Sequence, residues 1–94
     1  MKMYIYVVQD AVSRQRSELT LSVSHTAARR SFGEAISQAH LSPRVQHDQL
    51  LYCVGSADFD GPRPVLSGGP SELVCDGFEA AADFEEVTDV GTSV

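Results

Sequence analysis

Apolar residues recur at a helical period in one stretch of the chain. Ala28, Phe32, Ala35, Ile36 and Ala39 fall at i, i+4, i+7, i+8 and i+11, a narrow stripe suited to covering one face of a sheet. Ser24 precedes the stripe, and its hydroxyl can accept from a first-turn amide that would otherwise lack a partner, so a helix is expected to start at His25. Thr26, Arg30, Gly33 and Ser37 lie on the face turned away from the stripe, with Arg29 at the boundary. Gly33 costs about 1 kcal/mol against alanine inside a helix. Either the position is merely tolerated, or another backbone or a ligand passes close beside Arg29 and Arg30.

A period of two marks the strands. Within Met3–Gln9, Met3, Ile5 and Val7 share one face, and Tyr4, Tyr6 and Val8 the other. Leu19, Leu21 and Val23 alternate with Thr20 and Ser22, which predicts a second strand over Glu18–Val23 with one buried face. A third strand over Gln49–Ser56 sets Leu50, Tyr52 and Val54 against Leu51 and Cys53. Asp10–Ser17 is a polar loop, and His40–Asp48 a polar connection in which Pro43 blocks continuation of the helix. Ala57–Pro64 is turn material around Asp60-Gly61. Val65-Leu66 and Glu72–Cys75 are short strand segments on either side of Ser67-Gly-Gly-Pro70, a turn that lacks the lysine and following helix of a phosphate loop.

The order β-β-α-β-β predicts an α+β domain over residues 1–76, an antiparallel sheet with one helix packed on one face. One helix leaves the second sheet face bare. That face, expected to carry Tyr4 and Tyr6, needs another copy of the chain, the C-terminal segment or a ligand to cover it, and a homodimer through sheet faces or edges is the expected state.

The 94 residues, 43% of them hydrophobic, suffice for a single modest core. The net charge of −6 is unevenly placed: residues 1–70 hold all seven Lys/Arg and six acids, whereas residues 71–94 hold seven acids and no Lys or Arg. From Gly77 to Val94 the chain therefore reads as an acidic flexible tail, with Phe78 and Phe84 as its only large anchors. No apolar run is long enough for a bilayer and the N-terminus leads straight into a strand, so a cytoplasmic protein with no membrane partner is expected.

Little in the sequence suggests chemistry of bond making. His25, His40 and His47 match no zinc spacing, and Cys53 and Cys75 are too few for a disulfide scaffold and lack metal spacing. No catalytic residue, metal site or cofactor is expected. Tyr4, Tyr6 and Tyr52 all fall in strands, and the basic pairs Arg14/Arg16 and Arg29/Arg30 flank those strands. Bases stacking on exposed rings while cations track phosphates is how several small domains hold single strands, and here Arg29 and Arg30 are expected on the phosphates with Arg14 and Arg16 in support. The competing reading packs the tyrosines in a core or a dimer interface and leaves the arginines solvated.

Three blocks carry a family likeness: Tyr4-x-Tyr6-Val7-Val8-x-Asp10; Ala28-x-Arg30-Ser31-Phe32; and Asp48-x-Leu50-x-Tyr52-x-Val54-Gly55, followed by Asp58-Phe59-Asp60 and Pro62. In their order and spacing they resemble the small nonstructural protein of gokushovirus-type microviruses, phages with small circular single-stranded DNA genomes. The resemblance runs from Met3 to about Leu66, and the acidic extension after Ser71 exceeds the family pattern. It implies a DNA-binding protein of the infected bacterial cytoplasm, absent from the mature virion, that acts in genome replication or in the switch to single-strand synthesis and packaging; with the stacking reading above, the expected ligand is single-stranded DNA. Other phage or host replication proteins join DNA and a second copy as implied partners. Asp10, Arg30, Phe32, Asp48, Gly55 and Asp60 are the matching positions, with Phe32 read as core, Gly55 as a strand-end position and Asp60 as part of the turn; no catalytic residue is carried over. The alternative is a protein-interaction or scaffold-like module whose acidic tail engages a basic partner, with no nucleic-acid contact. If the tail instead folds back on the cations, removing Phe78–Val94 is expected to tighten DNA binding at low salt and to leave thermal stability nearly unchanged.

Overall fold

The computed structural model describes residues 1–92, with side chains to Glu86. Along the chain run β1 (Lys2–Asp10), β2 (Thr20–Ser22), α1 (His25–Gln38), α2 (Pro43–Asp48), β3 (Gln49–Asp58), β4 (Val65–Asp76) and α3 (Gly77–Thr92). The strands form one antiparallel sheet in the order β2-β1-β3-β4, with Lys2 opposite Asp58 and Asp10 opposite Gln49 in the central pair. This is the α+β class that the alternation predicts, with two more helices than expected.

Helix α1 begins where the stripe says it should. Ser24 is its N-cap, and the Ser24 hydroxyl accepts from the Ala27 amide. Ala28, Phe32 and Ile36 then turn onto the sheet and meet Tyr6, Leu51, Cys53 and Cys75 in the core. Pro43 does more than stop this helix. With its φ already helical and no amide to leave unpaired it opens α2, capped by Ser42, inside what reads as a polar connection.

The expected faces of β1 are reversed. Tyr6 is completely buried beneath α1, and its hydroxyl lies 2.6 Å from His25 Nδ1. Tyr4 and Val8 pack against the same core. Tyr6 packs there with Ala28, Phe32 and Ile36, and the His25 partner removes the penalty of burying a phenol. Met3, Ile5 and Val7 are left on the side without helices.

Burial pushes the Tyr6 pKa up to about 12 from its ordinary 10. The folded state holds this proton more tightly than the unfolded state, so the stabilisation is complete below pH 10 and is lost as pH rises through about 12. Spectrophotometric titration should find one of the three tyrosines ionising late, together with loss of the fold. Tyr6→Phe should cost about 1 kcal/mol at neutral pH by removing the hydrogen bond; a variant of unchanged stability would count against a formed Tyr6–His25 bond.

The segment expected to be a flexible acidic tail is helical over Gly77–Thr92 and packs through its first turns, with residues 93–94 outside the described residues. Ala80 and Ala81 are 1% and 2% exposed and complete the core against α1. Asp76 caps α3, its carboxylate accepting from the Glu79 amide at 2.8 Å, and the ring of Phe78 stacks on His47 of α2 with centroids 4.3 Å apart. Alanine and glutamate are strong helix formers, and Asp76-Gly-Phe-Glu79 carries the spacing of a capping box. Acid content masks that signal in the sequence. The boundary at residue 76/77 is thus the start of a helix packed into the same core.

Gly33 is explained by the same packing. A Cβ there would stand 2.7 Å from the Ala80 carbonyl carbon, still nearer its oxygen, and 3.2 Å from Phe84 Cβ. The close backbone is α3. The expected Ser67-Gly-Gly-Pro70 turn also changes character: it lies within the continuous edge strand β4, where Gly69–Ser71 bulge opposite Val54 and the missing amide of Pro70 breaks no ladder.

Candidate functional site

The structure separates the sequence-predicted nucleic-acid residues into four places. Tyr4 and Tyr6 lie on the helix side of the sheet, Tyr6 wholly enclosed and Tyr4 half-buried with its ring 5.2 Å from that of His25. Tyr52 pairs with Val7 and lies on the opposite side. A continuous row of stacking rings is therefore not formed, because β1 turns its tyrosines under α1 while β3 turns Tyr52 away from it.

Arg29 and Arg30 stand on the outer side of the α1–α3 layer, beside a cavity of about 270 Å³ lined by Thr26, Ala80, Asp83 and Phe84. Arg29 is bound by Asp83. Partial burial disfavours its charge, but the hydrogen bond and the charge of Asp83 outweigh that and raise its pKa. On the same seam Glu85 accepts from the Ser37 hydroxyl at 2.9 Å. A phosphate arriving here would meet carboxylates, so this pair makes a poor phosphate site although Arg30 itself is exposed.

Arg14 and Arg16 remain, on the loop between β1 and β2. Asp10 organises that loop: one carboxylate oxygen accepts from the amides of Val12 and Ser13 at 2.8 and 3.0 Å, and the other accepts from the Gln49 side chain at 2.7 Å. The amides of Ser13 and Val12, then Gln49, hold the Asp10 pKa below the usual carboxylate range. Its charge is thus engaged within the loop. Arg14 sits in the left-handed region at φ 62°, its amide donating to the Asp10 carbonyl at 2.8 Å. That backbone costs an arginine more than a glycine. Arg16 bridges back to Gln9, its Nε donating to Gln9 Oε1 at 3.1 Å. Both arginines are exposed, and neither has a carboxylate partner among the described residues. The loop is a pre-ordered pair of cations.

Cys53 and Cys75 are free and buried, and burial pushes the Cys75 thiol up to about 11, far from a reactive thiolate at neutral pH. Among the described residues no cluster of three His, Cys, Asp or Glu side chains is arranged to hold a metal ion. No described helix is long and apolar enough to cross a membrane.

The sequence reading missed the character of the side without helices. Direct pairing places Leu21 opposite Ile5, Tyr52 opposite Val7 and Leu73, and Leu66 opposite Ala57 on that face. Leu21, Leu66 and Leu73 are 49%, 70% and 54% exposed. The signal was present as alternation in β1, β2 and β3, but the alternation does not say which set of residues a helix will choose. Comparisons of the chain with protein-family models, with curated proteins and with solved structures give no match.

Proposed function

We propose that the chain is a non-enzymatic single-stranded-DNA-binding protein of a small single-stranded DNA phage, acting in the host bacterial cytoplasm in genome replication or in the switch to single-strand synthesis and packaging. The observation that carries this reading is the β1–β2 loop, where Arg14 and Arg16 are exposed on a turn that Asp10 has already ordered. Little backbone entropy has to be given up there when phosphates bind. The three blocks of the phage resemblance support the reading from a second direction, since they fall on β1, α1 and β3, the central strand pair and the helix that covers it. Contact with phosphates through two cations carries no base preference, and it leaves Tyr4 and Tyr6 to the core.

Fluorescence anisotropy with labelled oligonucleotides at two salt concentrations tests the proposal. Two phosphate contacts on a single strand give a log–log salt slope of about −1.4 for each protomer. Exchanging Arg14 and Arg16 for alanine should abolish most of that slope, while Arg29→Ala should leave it nearly unchanged. Absence of binding at low salt, or a slope that survives loss of both loop arginines, would overturn the assignment. The second reading, a protein-interaction module without nucleic-acid contact, is favoured by the breadth of the bare apolar sheet face, and the first of those outcomes would select it.

A further inference from the structure

We infer that the bare face of the sheet is the interface between two copies of this chain, packed face to face about a two-fold axis. Val7 and Ala57 are 8% and 1% exposed yet take no part in the core between sheet and helices. They form the floor of a second apolar surface, bordered by Leu21, Tyr52, Leu66 and Leu73. The molecule is a slab 46 × 37 × 17 Å, one sheet and one helix layer thick, and the core residues that α1 and α3 contribute all pack on the other side of the sheet.

Area and charge both point to a second copy. Four strands about 4.8 Å apart and up to about 30 Å long project roughly 600 Å², which side-chain relief brings close to the ~800 Å² per partner of a stable interface. Paired rows across the face contain no carboxylate except Asp76 at one corner, and its oxygens go to the Glu79 amide and to His47. Chains of net charge −6 repel one another unless they meet where their acids are absent. The acids of α3 lie across the helix layer, and in a face-to-face pair those two layers are on opposite outer surfaces. Their separation then approaches twice the 17 Å thickness of one slab, well beyond a Debye length of about 8 Å at physiological salt. Among the residues paired across this face Arg16 is the single cation, at the rim beside Gln9, so a polyanion would find little charge there, and a basic protein would find no acid row. Two sheets packed about 10 Å apart, as in a sandwich, bury the leucines of both copies.

The inference does not depend on the DNA reading, and its test uses no nucleic acid. Light scattering on the full chain at micromolar concentration should give twice the chain mass. The double variant Leu21→Lys with Leu73→Lys, at positions already half-exposed, should give the mass of one chain with an unchanged circular dichroism spectrum. If that variant loses its spectrum, the single Leu66→Lys variant at the most exposed of the three positions takes its place and should raise the dimer dissociation constant at least tenfold. A wild-type chain that scatters as a monomer overturns the inference, whether or not it binds lipid vesicles or oligonucleotides. So does a folded lysine variant that remains a dimer of wild-type affinity, since association would then run through a sheet edge or the helix layer.

Discussion

Gly33→Ala is expected to lower the melting temperature by roughly 8–16 °C, although the substitution replaces a poor helix former with the best one. Inside a solvent-facing helix the change would stabilise by about 1 kcal/mol. Here the new methyl would enter the Ala80 carbonyl of α3 and crowd Phe84 Cβ at 3.2 Å. Backbone at such a contact cannot swing aside as a flexible side chain would, so α1 and α3 must separate. Overpacking of this kind costs at or above the upper end of about 1–3 kcal/mol, for a net loss of about 2 kcal/mol after the propensity gain. A domain of this size loses about 4–8 °C per kcal/mol. Ser31→Ala on the exposed side of the same helix should stay within about 0.5 kcal/mol of the wild type. Calorimetry on the two variants gives the comparison, and a Gly33→Ala protein that melts higher than the wild type would mean that α3 does not rest on α1 at this point.

Removing Gly77–Val94 should abolish cooperative unfolding altogether. This reverses the expectation for a solvated acidic tail, whose loss would leave stability nearly unchanged. Ala80 and Ala81 are core residues, and with α3 gone Phe32, Ile36, Leu51 and Cys75 lose part of their cover. Uncovering these four side chains, at about 1.5–3 kcal/mol for each fully exposed one, removes at most about 6–12 kcal/mol, comparable with the 5–15 kcal/mol by which a whole domain is stable. The truncated chain should bind a hydrophobic dye and lose its near-ultraviolet circular dichroism while keeping part of its secondary structure. A sharp thermal transition close to that of the full chain would show that α3 is dispensable to the core. Whether acids of α3 shield Arg29 from DNA is better asked with Asp83→Asn, which removes a half-exposed ion pair worth at most about 1 kcal/mol and leaves the helix in place.

Local interactions account for what the sequence by itself determined. The stripe from Ala28 to Ala39 and the Ser24 cap specify α1 because both act within a few residues of backbone. The alternation in β1, β2 and β3 specifies strands for the same reason, and Asp10 can order the loop bearing Arg14 and Arg16 because its amide partners are two and three residues away. The choice of sheet face was open in the sequence. Both faces of β1 are apolar, and only the fit of Tyr6 beneath α1, with His25 nineteen residues distant, puts the tyrosines inside and leaves Ile5 and Val7 outside. The fate of the acidic segment was decided in the same way. Five acids between Gly77 and Val94 describe a solvated tail until Ala80 and Ala81 find α1, and Gly33 is an unfavourable helix residue until Ala80 comes against it. Arg29 is a free cation in the sequence and an ion pair in the fold, because its partner Asp83 lies fifty-four residues away. Contacts at such separations depend on how whole elements pack, and a pattern of apolar and polar positions along one element records that it has a buried face without recording what lies against it.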